Sequence, residues 1–156
     1  MMETEHIDVG NGFFISTNKK KLNIERIHHF LSEQSYWAKG IKQELVNEMI
    51  RNAPLCIGLY ADDGKQAGFA RVITDFVRFG WVCDVFIFPE YRGRSLGKKL
   101  VEAIVSHPKL GGVCLMLATD DAHGLYEQYG FERPEHHQKL LMRKLNMEAV
   151  EKSYGL

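Results

Sequence analysis

One stretch, residues 81–104 (WVCDVFIFPEYRGRSLGKKLVEAI), limits most severely what this chain can fold into. Residues 82–88 are apolar except for Asp84, so they read as a strand covered on both faces and stopped by Pro89. A loop follows, Arg92-Gly93-Arg94-Ser95-Leu96-Gly97-Lys98. Leu96, Leu100, Ala103 and Ile104 then recur at helical spacing. A helix entered from such a loop has unbonded N–H groups in its first turn, and its dipole adds partial positive charge there. Arg92, Arg94 and Lys98 add full charges. The combination suits a phosphate or pyrophosphate.

Two familiar phosphate loops are excluded by spacing. A Walker loop needs four residues between its first glycine and Gly-Lys, followed by Ser or Thr; here three residues separate Gly93 from Gly97, and Lys98 is followed by Lys99. The dinucleotide spacing G-x-G-x-x-G is missing as well.

The chain has 156 residues, 45% of them hydrophobic, enough for one domain with a real core, so residues 1–156 are taken as a single domain with a polar tail over 145–156. Formal net charge is zero, which gives no reason to expect nucleic acid or an anionic membrane as partner. No apolar run is long enough for a membrane span, and residues 1–11 lack a signal-peptide pattern; a cytoplasmic protein is expected. Cys56, Cys83 and Cys114 each fall in an expected strand without metal-like spacing, and are read as buried, reduced thiols.

Residues 13–16 form a short first strand. Asn23 caps a helix to about Glu33, with Ile24, Ile27, Phe30 and Leu31 on one face. His28 and His29 point to different sides of it and cannot chelate one metal. Residues 35–40 break the pattern, and a second helix runs over 41–52. Tyr36 and Trp37 in the break either plug the side of the core or wall an acceptor pocket. Residues 55–61 and 66–75 are strands joined by Asp62-Asp63-Gly64-Lys65, a hairpin signal, with the second strand continuing to Phe76. Residues 113–118 form a strand parallel to 82–88, because a helix connects the two. Residues 122–129 form a short helix ended by Gly130; Phe131 opens another strand, and residues 138–143 form the last.

The second informative stretch is Ala122-x-x-x-Tyr126-x-x-x-Gly130-Phe131. Paired with Arg92-x-x-Ser95-x-Gly97 upstream, it resembles the GCN5-related N-acetyltransferase (GNAT) family, whose acyl-CoA loop reads Arg/Gln-x-x-Gly-x-Gly/Ala and whose later motif reads Ala-x-x-x-Tyr-x-x-x-Gly-Phe. The one departure is Ser95, where the pattern has glycine; serine is less at ease at positive φ. The order of elements agrees over residues 22–143, and the resemblance is specific over 84–97 and 122–131.

The resemblance implies an α/β fold with a central mixed sheet flanked by helices, and acetyl-CoA as co-substrate with no metal. It implies transfer of an acetyl group, by direct attack, to a primary amine of a small molecule. Backbone groups of Val85, Phe86, Ile87 and Phe88 would bind the pantetheine arm. Arg92, Gly93, Arg94, Ser95, Leu96, Gly97 and Lys98 would hold the pyrophosphate. Tyr126 would protonate the leaving thiolate, with Tyr129 the nearby competitor. Asp84 is a candidate base, an attractor of a cationic amine, or a structural carboxylate held by backbone or Arg71. Tyr36 and Trp37 are candidate acceptor contacts. His123 reads better as a surface or capping residue than as a proton shuttle, and Arg133, His136 and His137 form no constellation. A peptide or protein amine as acceptor, a non-catalytic acyl-CoA sensor and a homodimer are left open.

Overall fold

The computed structural model describes residues 6–135 and 141–154. Its six strands form one sheet in sequential order: β1 (His6–Gly10), β2 (Phe13–Ser16), β3 (Leu55–Ala61), β4 (Gln66–Thr74), β5 (Phe79–Ile87) and β6 (Cys114–Met116). Neighbours are antiparallel except β5 and β6, which are parallel. That single parallel pair follows from the crossover: the chain leaves β5, forms helix α3 (Leu96–Val105) and returns in the same direction.

Helices cover both faces. Leu96, Leu100 and Ile104 of α3 pack with Ile57, Leu59 and Val72 of the sheet. On the other face, Ile27 of α1 (Ile24–His29) and Val46 and Ile50 of α2 (Gln43–Asn52) pack with Cys56, Phe69, Phe86 and Phe88. Asn23 caps α1 by accepting the N–H of Arg26, as its position implies. The helix then widens into a π turn, Phe30–Gln34. The Lys19 ammonium donates to the carbonyls of Arg51 and Ala53 at the end of α2, where a cation complements the helix dipole.

The decisive irregularity lies in β5. Phe69 pairs with Phe86 and Arg71 with Cys83, so three steps along β5 oppose two along β4. Asp84 and Val85 lie between them, opposite Ala70 alone, and Asp84 is at φ 53. The bulge shifts the side-chain alternation by one. Before it Val82 joins the α3 face; after it Val85 and Ile87 do, while Phe86 and Phe88 turn toward α1 and α2.

Several expectations need correction. β1 is an additional strand, joined to β2 through Gly10, Asn11 and Gly12, all at positive φ. Phe76 is not in a strand: it sits at φ 60 in the β4–β5 turn, where Asp75 Oδ1 accepts the N–H groups of Val77, Arg78 and Phe79. Only Cys56 is buried; Cys114 is exposed on β6, the last strand of the sheet order, and Cys83 is half-buried. No strand begins at Phe131, whose N–H instead closes helix α4 (His123–Glu127) on the Tyr126 carbonyl. Of the strand expected at 138–143, residues 138–140 lie outside the described residues and 141–143 are not in a strand. His136 and His137 also lie outside. Part of the polar tail is helical, α5 (Met147–Tyr154), with Tyr154 against the α1–α2 core.

Candidate active site

β5 and β6 pair only between Phe79–Trp81 and Cys114–Met116. Beyond that the strands part, and a cavity of about 360 Å³ occupies the gap between the end of β5, the loop into α3 and helix α4. Val85, Phe86 and Ile87 line it from β5; Arg92, Gly93, Ser95, Leu96, Gly97 and Lys98 line it from the loop and first turn; Tyr126 lines it from α4. The two sequence motifs, far apart along the chain, thus meet at one cavity. Phe88 and Arg94 do not line it: Phe88 is buried against α1 and α2, and the Arg94 guanidinium lies over the Tyr91 ring, 5.8 Å from its centre. Sequence reasoning missed Tyr91, Leu100, Ala122 and Leu125 as lining residues. Two of them carry a signal in the second motif: Ala122 opens it and Leu125 adjoins Tyr126 within it.

The loop keeps the backbone of its pattern despite the serine. Ser95 is at φ 58, in the left-handed region glycine prefers, and stands as the N-cap of α3. Gly93, at φ 81, makes the other left-handed turn. Gly97 differs. It has no positive φ, and a Cβ built there would meet only Leu125 Cδ2, at 3.8 Å, an ordinary contact. Nothing in the fold requires glycine at 97; a ligand approaching the helix N-terminus closely would.

Tyr126 is buried, and its ring packs edge-on against Phe131 with centroids 5.5 Å apart. Burial, then the Tyr36 phenol and the Asp121 carboxylate, push the Tyr126 phenol up to about 12. It therefore remains a proton donor throughout the neutral and mildly alkaline range.

Asp84 does not line the cavity, although Val85 beside it does. Its carboxylate is buried and both oxygens are engaged: Oδ2 accepts from Arg71 Nε at 2.8 Å and Oδ1 from the Trp37 indole N–H at 2.9 Å. Tyr36, next to Trp37, accepts the backbone N–H of Asp120 at 3.1 Å. The pair Tyr36–Trp37 therefore reaches from the β5 bulge to the loop after β6, across the place where the strands part. Both residues are exposed, at 53% and 39%, and neither lines the cavity itself. His123 stands at the start of α4 and does not line the cavity. Arg133 pairs with Glu127 on the surface. Among the described residues no three His, Cys, Asp or Glu side chains gather as a metal centre would require, and no helix is long and apolar enough to cross a membrane.

A family model described as an acetyltransferase (GNAT) domain matches residues 54–133. The crystal structure of a Xanthomonas campestris protein described as an acetyltransferase of the GNAT family is 44% identical, with a TM-score of 0.80 over 85% of this chain and 93% of that one. A Gibberella zeae protein named as an acetyltransferase is 29% identical over 133 residues, 71% of this chain and 74% of its own length. Glucosamine-6-phosphate N-acetyltransferase from Arabidopsis thaliana shares the fold at 22% identity, with a TM-score of 0.59 over 85% of this chain and 97% of that one.

Proposed function

We infer the function from one premise: the chain belongs to the GNAT family of acetyltransferases. We propose that it transfers the acetyl group of acetyl-CoA to the primary amine of a small molecule. The observation that carries this reading is the single cavity that joins the basic loop, the free strand edge of β5 and the Tyr126 phenol. The loop and the N-terminus of α3 offer N–H groups and positive charge to a pyrophosphate. The parted edge of β5 offers backbone groups to an extended pantetheine arm, as a missing strand would.

In the proposed reaction the neutral amine nitrogen attacks the thioester carbonyl. A backbone N–H of Phe86 or Ile87 stabilises the oxyanion of the tetrahedral intermediate. The C–S bond then breaks, the thiolate takes the Tyr126 proton, the nitrogen gives up its own proton to solvent, and solvent returns a proton to the Tyr126 phenolate. Tyr126 suits this role because burial keeps its phenol protonated. A small acceptor is favoured over a polypeptide because Trp37 is bonded to Asp84 in the β5 bulge and Tyr36 to Asp120 after β6, which ties two aromatic side chains between the segments on either side of the gap.

Calorimetric titration with acetyl-CoA and coenzyme A, with ATP as control, tests the coenzyme. Saturable binding is expected, and it weakens in folded Arg92→Ala. A panel of spermidine, tyramine, glucosamine 6-phosphate and a lysine peptide then tests the acceptor. Absence of coenzyme binding overturns the reading. Peptide acetylation alone would move the acceptor class to polypeptides.

A further inference from the structure

The proposed chemistry leaves one buried polar cluster unused. Asp84 holds Arg71 from β4 and Trp37 from the segment before α2, residues 13 and 47 positions away in sequence. Cys56 and Cys83 stand opposite Arg71 in the registers of β3 and β5. Burial above all pushes both thiols up to about 11, so neither supplies an anion that could replace Asp84 as partner of the guanidinium. Asp84 is thus the carboxylate that pairs with Arg71, and its second oxygen anchors an indole.

A base must offer a lone pair toward the amine. Asp84 is buried, lies outside the cavity lining, and already accepts a protein donor on each oxygen. What it does hold is Trp37, and with it the Tyr36 ring whose hydroxyl reaches Asp120. We propose that Asp84 is a positioning residue, fastening the Tyr36–Trp37 wall across the acceptor end of the cleft rather than carrying the amine proton. The inference rests on the acetyltransferase reading for its kinetic consequences, but not for the contact itself.

Substituting Asp84→Asn leaves a single carbonyl oxygen for two donors. The guanidinium, being charged, claims it, and the indole N–H then faces an amide NH2. Trp37→Phe removes the same hydrogen bond from the other side while keeping a ring. In ¹⁵N-labelled protein the two indole signals, Trp37 and Trp81, are separated with Trp81→Phe. Asp84→Asn is expected to speed solvent exchange of the Trp37 indole N–H about tenfold, the loss of one buried hydrogen bond. Kinetics use whichever of the four panel amines the wild type acetylates best. Trp37→Phe and Asp84→Asn are each expected to raise the amine KM about tenfold, with kcat changed less than about threefold and KM for acetyl-CoA unchanged. The ascending limb of the pH–rate profile stays in place, and the double variant is no worse than the worse single one.

Loss of the ascending limb with a hundredfold fall in kcat in Asp84→Asn, about the scale of losing a general base, beside a normal Trp37→Phe, would overturn the proposal. If Asp84→Asn does not fold, Trp37→Phe carries the test, and an unchanged amine KM there overturns it. If the wild type acetylates none of the four amines, that failure belongs to the small-amine reading. Indole exchange then decides this one, and equal Trp37 protection in Asp84→Asn and wild type overturns it.

Discussion

Phe30 lies flat on Phe86, ring centroids 3.9 Å apart and planes 13° from parallel. The contact joins the π turn after α1 to the cavity wall, since Phe86 lines the cavity and Phe30 backs it from the α1–α2 core. Both rings are buried. Phe30→Ala is expected to cost about 3–5 kcal/mol of unfolding free energy, the usual range for emptying a buried phenylalanine site. Phe30→Leu should lose much less. Urea denaturation of the two variants measures the difference, and a loss under about 1 kcal/mol for Phe30→Ala would mean that the stack contributes little.

Ser95 holds a left-handed conformation that costs an L-residue about 1–2 kcal/mol. Glycine removes that strain but adds about 0.5–1 kcal/mol of unfolded-state entropy to be lost on folding. Ser95→Gly is therefore expected to be neutral to modestly stabilising, and Ser95→Val, being β-branched, to be destabilising. Thermal melts of both check the order, and coenzyme affinity should survive in Ser95→Gly.

The loop was legible because everything that shapes it is local: a strand end, a proline, glycines and a helix start lie within residues 82–104. The α4 motif was legible for the same reason. Their meeting followed from the crossover, which requires β6 to return beside β5. The unreadable features are non-local. The bulge at Asp84 exists only in the register between β4 and β5, and an apolar run with one aspartate does not announce it. The Trp37–Asp84 bond joins segments that only the packed fold brings together. Cys114 looks buried by its neighbours Val113 and Leu115, yet β6 is the final strand of the sheet and leaves it exposed. The β1–β2 hairpin has a readable turn in Gly10-Asn11-Gly12, but the strand before it, His6–Gly10, is mostly exposed and has no strong apolar alternation.

The Tyr60 ring covers Gly58 so closely that a Cβ on Gly58 would clash with the Tyr60 hydroxyl and with the ring carbons Cζ and Cε2. Gly58→Ala is expected to destabilise by about 1–3 kcal/mol or more through overpacking. Tyr60→Phe should not rescue it, because ring carbons clash too; Tyr60→Leu should rescue part. The Tyr60 hydroxyl is also the one buried side-chain oxygen or nitrogen among the described residues without a hydrogen-bond partner. Tyr60→Phe alone is therefore expected to be neutral or stabilising, since an unpaired buried hydroxyl costs about 1–3 kcal/mol. Denaturant midpoints for the four variants decide both points.

Tyr126 provides the pH test. Its phenol ionises near 12 in the folded chain against an ordinary value of 10.0. The folded-state value is the higher, so the stability this group contributes is fully present below pH 10 and is lost as pH rises from there toward 12. For the reaction, the same shift keeps the proposed acid protonated across the assay range. The rate should rise as the amine deprotonates and then hold a plateau, without a descending limb from Tyr126 before about pH 11. Tyr126→Phe is expected to lower that plateau about a hundredfold with KM for acetyl-CoA nearly unchanged. Full kcat in Tyr126→Phe would remove the phenol from the mechanism.

Gly97 separates the needs of the ligand from those of the fold. Gly93 has a conformational reason to be glycine, at φ 81, so Gly93→Ala should lower stability. Gly97 has none: it is the second residue of α3, and a methyl group there makes only an ordinary contact with Leu125. Alanine is the better helix former by about 0.8–1 kcal/mol in a helix interior and by less in a first turn, so Gly97→Ala should melt at or above the wild-type temperature. If the loop holds pyrophosphate, the same methyl group stands where phosphate oxygens approach the backbone. Coenzyme A affinity should then fall about 10- to 100-fold, the scale of losing one or two charge-assisted hydrogen bonds. Melting and calorimetric titration of the same preparation give both numbers. A stable variant that has lost affinity assigns the loop to the pyrophosphate, whereas wild-type affinity in Gly97→Ala would place the coenzyme phosphates elsewhere.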